Sequence, residues 1–383
     1  MRSHDRTAEA HPLRDTVLAV VLGAGAVAWA VFPGNLVVES PSFGGPEVLT
    51  PGGELEVVGR VAVPWVTAID ELTLESGPIR IALPLLRPPT RGARQTLLAR
   101  VSQDCAPGNY DLVVKAGNRE ARARRSVAVL DSIPERFTLA QITDLHFGNT
   151  SEGEASVGSI VDELNRLRPA VVLVTGDITQ NGKPLEFERA TRALDRLTMP
   201  IVCIPGNHDR RGWAGYLTAF GFPYHLVRFG HWTLLGLDSG HGRGQFTESQ
   251  LRFVERVLNA AEPGKVIGLV HIPLAGKRSV KAHAKEVMEL FARRHVPLVL
   301  SGHWHYGAEY GGSGRGTTNE AAGETRFVVT ATAGGKSVKA PNGRSDPRGF
   351  TLIAVEDGRV TSVEAHSGGV ARTPTAGARE VNR

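Results

Sequence analysis

Ile201-Val202-Cys203-Ile204-Pro205-Gly206-Asn207-His208-Asp209 begins as a four-residue apolar run and ends in a turn of side chains that can bind a cation or move a proton. The arrangement recurs. Apolar runs also stop at Thr143-Asp144-Leu145-His146, Thr175-Gly176-Asp177, Leu237-Asp238-Ser239, Val270-His271 and Ser301-Gly302-His303-Trp304-His305. With Asp144, Asp177, Asn207, Asp238, His271 and His303 as markers, the intervals are 33, 30, 31, 33 and 32 residues. Each interval has the size of one strand plus one helix, the unit of a βαβ repeat. Helical stretches at 156–167, 185–197, 248–261 and 281–294 fill the gaps, so this half of the chain reads as an α/β domain. In open α/β sheets ligands bind beyond the carboxyl ends of the strands, where clusters far apart in sequence can converge.

The chemistry of the clusters narrows what they converge on. Asp144, His146, Asp177, Asn207, His271, His303 and His305 offer imidazole nitrogen and carboxylate or amide oxygen but no thiolate. That donor set suits Mn, Fe or Zn and disfavours a structural cysteine-type zinc site. Seven donors are too many for one catalytic ion. Two divalent ions sharing Asp177 as a bridge leave positions open for water or substrate. Two carboxylates against two such ions leave a formal surplus of about two positive charges, which an anionic substrate and a bridging hydroxide would neutralise. Asp238 ends a strand as the ligands do but is read as structural. Arg210, Arg211 and His241 follow the same strands and are read as surface residues.

The chain has 383 residues, a net charge of +5, 41% hydrophobic residues and only 2 Cys. This composition excludes a disordered chain and a disulfide-stapled scaffold, and its length fits two domains. No basic stripe with interleaved aromatics is present, so no nucleic-acid partner is expected. Cys105 and Cys203 read as two buried thiols. Residues 1–34 contain an uncharged apolar run at 16–32 preceded by Arg2, Arg6 and Arg14, which reads as a signal peptide or membrane anchor. On that reading the catalytic half is exported, secreted or membrane-anchored, and the membrane is a partner. Residues 41–131 carry short apolar stretches at 54–62, 79–86, 96–101 and 110–115, the spacing of an antiparallel β-sandwich. Pro107-Gly108-Asn109-Tyr110-Asp111-Leu112 resembles the turn of immunoglobulin-like or fibronectin-like domains where a Tyr hydroxyl ties down a corner. Arg119, Arg122, Arg124 and Arg125, interleaved with Ala121 and Ala123, read as the solvated face of a strand. The α/β domain is expected over 136–366, followed by a disordered tail at 367–383.

At the clusters the chain resembles the calcineurin-like metallophosphoesterase superfamily, whose pattern runs D-x-H, G-D, G-N-H-[DE], H, G-H-x-H. Here it reads Asp144-Leu145-His146, Gly176-Asp177, Gly206-Asn207-His208-Asp209, His271 and Gly302-His303-Trp304-His305. Gly176-Asp177-Ile178-Thr179-Gln180, Leu237-Asp238-Ser239 and Gln250-Leu251 are similar to the branch of bacterial class III cyclic nucleotide phosphodiesterases. The resemblance implies an αββα sandwich of two mixed sheets. It implies one ion on Asp144, His146, Asp177 and His305, a second on Asp177, Asn207, His271 and His303, and a phosphohydrolase of phosphomono- or phosphodiesters. His208 is then the catalytic general acid, and Asn207 and His208 touch the substrate. No Asp follows Gly176-Asp177 at the place where many protein phosphatases pair one with this His, which leaves His208 without an assigned partner. Two alternatives remain: a 3',5'-cyclic nucleotide phosphodiesterase specifically, or a surface binding protein that uses the β-sandwich and keeps the metallo-domain as an inactive scaffold.

Overall fold

The computed structural model describes residues 36–61, 68–90, 92–240, 244–276, 278–311, 323–368 and 370–371. Strands β1 (Val37–Ser40), β2 (Glu47–Leu49), β3 (Glu54–Arg60), β4 (Glu71–Ser76), β5 (Ile79–Ala82), β6 (Arg94–Arg100), β7 (Gly108–Ala116) and β8 (Arg119–Val129) come first. They form a three-stranded sheet, β1-β3-β6, and a five-stranded sheet, β2-β8-β7-β4-β5, antiparallel except for the β2–β8 pair. Alternate residues point into a shared core, with Leu55, Val57, Leu97 and Ala99 of one sheet clustered with Leu72, Leu74, Leu112 and Val114 of the other. The Tyr110 hydroxyl donates to the Ala106 carbonyl at 2.7 Å and ties down the corner before β7.

On β8 the alternation expected for a solvated face holds for Arg122 and Arg124, which are exposed, and breaks at Arg125. The register with β7 shifts between Tyr110 and Leu112, and Arg125 takes φ 43° with its N–H on Asp111 Oδ1 at 2.9 Å. This bulge turns the side chain away from the pleat. The Arg125 guanidinium instead donates to the carbonyls of Asp195 at 2.6 Å and Met199 at 3.1 Å, and Arg124 pairs with Asp195 at 2.7 Å. The basic run is therefore partly a clamp onto the second half of the chain.

That half is built from β9 (Phe137–Ile142), α1 (Ser151–Leu167), β10 (Val171–Thr175), α2 (Pro184–Leu194), β11 (Ile201–Ile204), α3 (Trp213–Phe220), β12 (His225–Phe229), β13 (Trp232–Leu237), α4 (Glu248–Ala260), β14 (Val266–Val270), α5 (Ala284–Arg293), β15 (Leu298–Ser301), β16 (Ala308–Gly311), β17 (Arg326–Val329), β18 (Gly349–Glu356), β19 (Arg359–Ser367) and β20 (Val370–Ala371). Two six-stranded mixed sheets result, β11-β10-β9-β18-β19-β20 and β12-β13-β14-β15-β17-β16. Leu139, Leu173 and Val202 of the first meet Leu234, Leu269 and Leu300 of the second in the layer between them. Helices α1, α2 and α3 cover the outer face of the first sheet through Ile160, Leu164, Phe187 and Phe220, and α4 and α5 cover the second through Phe253, Val257, Val287 and Phe291. The architecture is the expected αββα sandwich. Strands buried on both faces are mostly apolar, which is why β10 and β14 read as nearly continuous apolar runs.

The segment before β2 covers an edge of the first sheet. Gly44 accepts from the N–H of Cys203 on the outermost strand β11 at 2.7 Å and donates to the Phe220 carbonyl at 2.9 Å, while Phe43 enters the core beneath α3. Cys203 and Cys105 are both buried and free, in different cores.

The membrane reading of the N-terminus needs correction. Among the described residues no helix is long and apolar enough to cross a membrane. The stretch 16–32, on which the anchor, the membrane partner and the exported location rested, lies outside the described residues. Of the tail at 367–383, Val370–Ala371 pairs with the end of β19, and residues from 372 on lie outside the described residues.

One buried base makes stability depend on pH. His225 on β12 packs against Gly45 and Gly236, with Nδ1 on the Phe222 carbonyl at 3.2 Å and Nε2 buried without a partner. Burial pushes its pKa down to about 4. The folded protein thus binds fewer protons here than the unfolded chain, so stability present at neutral pH is lost as pH falls from about 6.5 through about 4, by about 3 kcal/mol. Replacing His225 with Gln should flatten this acid limb in urea-denaturation midpoints. An equally steep limb in H225Q would assign the loss to other groups.

Candidate metal centre

Each cluster sits in the first turn beyond the carboxyl end of a parallel strand. Asp144 and His146 follow β9, Asp177 follows β10, Asn207 and His208 follow β11, His271 follows β14, and His303 and His305 follow β15. Five of these residues have left-handed backbones: Asp144 (φ 54°), His146 (49°), Asp177 (48°), His303 (70°) and His305 (64°). Such a conformation costs a non-glycine residue about 1–3 kcal/mol and persists only where the surroundings enforce it. Here the N–H of Asp144 and of His146 donate to the carbonyls of Gly176 and Asp177, both at 3.0 Å. The Asp144 carbonyl accepts from Thr332 Oγ1 at 2.8 Å and Gly335 N at 3.0 Å.

The two carboxylates are divided in function between their oxygens. Asp144 Oδ2 accepts from Thr143 Oγ1 and His303 N, both at 2.9 Å, while Oδ1 faces His305 Nε2 at 3.1 Å and His146 Nε2 at 3.7 Å. Asp177 Oδ1 accepts from His208 N at 2.8 Å, while Oδ2 faces His271 Nε2 at 3.2 Å, His146 Nε2 at 3.7 Å and His208 Nε2 at 3.9 Å. The rings are oriented from behind. Nδ1 of His271, His305 and His208 lies 2.8, 2.7 and 2.7 Å from the carbonyls of Thr175, Lys336 and Gln180. A carbonyl requires the proton on Nδ1, which leaves the Nε2 lone pair turned toward the centre.

This donor set fits two divalent ions. Three groups have their ligand atoms within 4.8 Å of one another: Asp144, His146 and His305; His146, Asp177 and His208; Asp177, His271 and His303. His146 Nε2 and His305 Nε2 lie 3.1 Å apart. Atoms bound to one ion at about 2.1 Å stand about 3.0–3.4 Å from each other, so this spacing is that of neighbouring ligands. Asp144 Oδ1, Asn207 Oδ1 and His271 Nε2 are buried without hydrogen-bond partners, a cost that cation binding would remove. Asp177 belongs to two groups and lies between the others, as a bridge requires. Six of the seven expected ligands are thus brought together by the groups, and the seventh, Asn207, presents its orphaned oxygen from the turn beside His208.

The electrostatics are those of a site made for cations. Burial opposes ionisation of Asp144 and Asp177, but the surrounding imidazoles, His305 above all for Asp144 and His271 for Asp177, outweigh it and hold both carboxyls below the usual range. Burial likewise opposes charge on His271, yet Asp177 dominates and pushes its pKa up to about 9. Burial pushes His303 down to about 4 and lowers His208.

Three parts of the site escaped the sequence. The partner of His208 is the Gln180 main chain, and a carbonyl leaves no trace in side-chain pattern. Asp209, fully buried, accepts from Ile178 N at 3.1 Å, Thr179 N and Thr179 Oγ1 at 2.8 Å and Gly206 N at 2.9 Å, locking the turn after β10 to the turn after β11. The third is the turn after β17, where Thr332 and Gly335 hold Asp144 and a side chain at 335 would collide with His146 and His305. Its signal was present: another apolar run ends here, about one repeat beyond His303. Asp238 is structural as expected. It pairs with Arg210, whose guanidinium lies 4.0 Å over the Trp213 ring, and its main chain is held by the Gln250 side chain. Arg210 is therefore tied into the structure rather than simply a surface residue. His241 lies outside the described residues.

Two mixed sheets carrying an Asp and His centre for two divalent ions define a metal-dependent hydrolase, and the ligand-type residues are too complete and too close for an inactive scaffold. Residues 137–307 match the calcineurin-like phosphoesterase family. A probable cyclic nucleotide phosphodiesterase of Synechococcus is 28% identical over 191 residues, covering 44% of this chain and 73% of that protein. The glycerophosphodiester phosphodiesterase GpdQ of Enterobacter lignolyticus is 31% identical over 157 residues, 35% of this chain and 56% of that protein. Among solved structures, the purple acid phosphatase PPD1 of yellow lupin shares the fold with a TM-score of 0.56 at 15% identity, covering 84% of this chain and 71% of that one.

Proposed function

We propose that the chain is a dinuclear-metal phosphodiesterase acting on small phosphodiesters. The observation that carries this reading is Asp177, whose Oδ2 faces His271 on one side and His146 on the other and so lies between two ligand groups. The relatives just described are similar in sequence and are named for two kinds of diester, cyclic nucleotides and glycerophosphodiesters, which supports the diester bond as the shared target. The narrower reading, a class III cyclic nucleotide phosphodiesterase, is supported by the first relative and weakened by the second.

One ion would rest on Asp144, His146, Asp177 and His305, the other on Asp177, Asn207, His271 and His303, with Mn, Fe or Zn suiting these donors. When bound, the ions lower the pKa of water toward about 7 and draw charge from the phosphoryl oxygens. Hydrolysis of a diester exchanges one ester oxygen on phosphorus for a water oxygen; the proton the water gives up passes to solvent, and the departing oxygen needs one. His208 supplies it. Its Nδ1 is fixed by the Gln180 carbonyl and its side chain is 21% exposed, whereas the His146 and His271 rings are buried. Asn207, in the same turn, contacts the phosphoryl group. We also propose that 41–131 and 136–366 are the two domains, the first an immunoglobulin-like or fibronectin-like module clamped to the second by Arg124 and Arg125.

The test uses the full chain with bis(p-nitrophenyl) phosphate and p-nitrophenyl phosphate. Turnover of the diester should fall to background with chelator and return with Mn²⁺. Chelator-insensitive turnover, or a preference for the monoester, would overturn the reading.

A further inference from the structure

Each proposed ion draws its ligands from both sheets. Asp144, His146, Asp177 and Asn207 follow strands of the first sheet, and His271, His303 and His305 follow strands of the second. The spacing between the sheets therefore sets the spacing of the donors. In the layer between them, residues such as Leu139, Leu173, Leu269 and Leu300 make apolar contacts, which carry no directional preference. Gln141 departs from that pattern. It lies on β9 two residues after Leu139, so it shares the same inward face, and it is fully buried.

The amide of Gln141 is engaged at both ends. Its Nε2 donates to Thr175 Oγ1 in its own sheet and to the Ser301 carbonyl in the facing sheet, both at 2.8 Å. Its Oε1 accepts from Thr330 Oγ1 at 2.6 Å, and that hydroxyl lies 2.7 Å from Thr351 Oγ1 on β18. Each of the first three partners leads into a part of the metal centre. Thr175 precedes Gly176-Asp177, and its carbonyl orients His271 at 2.8 Å. Ser301 precedes Gly302-His303-Trp304-His305. Thr330 precedes the turn in which Thr332 and Gly335 hold the Asp144 carbonyl. Gln141 itself stands three residues before Asp144, so one side chain ties together the starts of four turns across the boundary between the sheets.

An amide taken into an apolar layer is costly to bury, and an apolar side chain of similar size would fill the same space without that cost. What the amide adds is direction, because its hydrogen bonds hold at only one separation and one alignment of the sheets. We propose that Gln141 is a positioning residue for the dinuclear centre, fixing the two sheets at the spacing where donors from both reach the same pair of ions. The inference concerns the assembly of the metal centre and goes beyond the phosphodiesterase reading, since it does not depend on which ester is cleaved.

The test is a Mn²⁺ titration of the metal-free full chain, followed by electron paramagnetic resonance, in three variants. Q141M keeps the volume and removes the hydrogen bonds. It should weaken Mn²⁺ binding by about tenfold or more and alter the signal of the two coupled ions, with circular dichroism unchanged. T330V keeps the shape of Thr330 and removes its donor, and it should shift binding in the same direction, which tests the network even if Q141M folds poorly. L139A opens a hole in the same layer and should lower the urea midpoint while keeping the parent's Mn²⁺ affinity. Parent-like Mn²⁺ affinity in folded Q141M and T330V, or an equal loss of affinity in L139A, would reduce Gln141 to ordinary packing and overturn the proposal. A parent protein that binds two Mn²⁺ but turns over no phosphodiester would remove the phosphodiesterase reading and leave this one standing, whereas a parent that binds no Mn²⁺ would overturn both.

Discussion

Replacing Asp177 with Asn should lower kcat/KM by at least about 10² to 10³ and leave the protein with less than its full complement of metal. The geometry explains why so small a change has so large an effect. Asp177 Oδ1 already accepts the His208 N–H at 2.8 Å, so the asparagine carbonyl oxygen will take that place and keep the turn intact. The amide NH₂ must then occupy the position of Oδ2, the atom that faces His271 at 3.2 Å and His146 at 3.7 Å. An acceptor shared by two ligand groups becomes a donor, and the charge that balances the cations is halved at the same time. Metal analysis of D177N beside its circular dichroism separates this from misfolding. A folded variant with full occupancy would refute the bridging role.

His208→Ala should lower kcat for an alkyl phosphodiester by about 10² to 10⁴ and affect a p-nitrophenyl diester much less. A general acid matters in proportion to how badly the departing oxygen needs a proton, and p-nitrophenolate leaves easily without one. His208 is outside the proposed ligand sets, so the metal content of H208A should match that of the parent. If the variant instead raises KM equally for both substrates and spares kcat, the ring binds phosphate and does not transfer a proton.

The parallel strands and the ligand residues were legible for a common reason: both are chemically restricted. A strand covered on both faces admits few polar residues, so β10 and β14 stand out as short, nearly unbroken apolar runs. A divalent ion that avoids thiolate leaves only carboxylates, imidazoles and amides, and these sit where such runs end. Less restricted elements were hidden. Helix α1 begins at Ser151, five residues before its periodicity is evident, because its first turn contains Gly153, a residue required where the helix meets the Gly334 carbonyl. Helix α3 shows little polar face between Trp213 and Phe220 and carried no readable period. Strand β19 lies largely open to solvent and alternates too weakly to be recognised. Arg125 fits its strand by residue type, and only the bulge, a property of main-chain register, turns it toward Asp195. The apolar run at 16–32 had the composition of a membrane segment, but composition alone located nothing in the described structure.

The contact between Gly44 and the main chain of Cys203 has a practical consequence. Strand β11 is the outer member of its sheet, and the stretch of chain from the first unit screens part of its hydrogen-bonding margin while Phe43 seals the core below. Cutting the polypeptide near residue 132 to obtain a smaller enzyme would uncover that margin and invite another molecule to dock along it, so the excised half should self-associate in a way the intact chain does not.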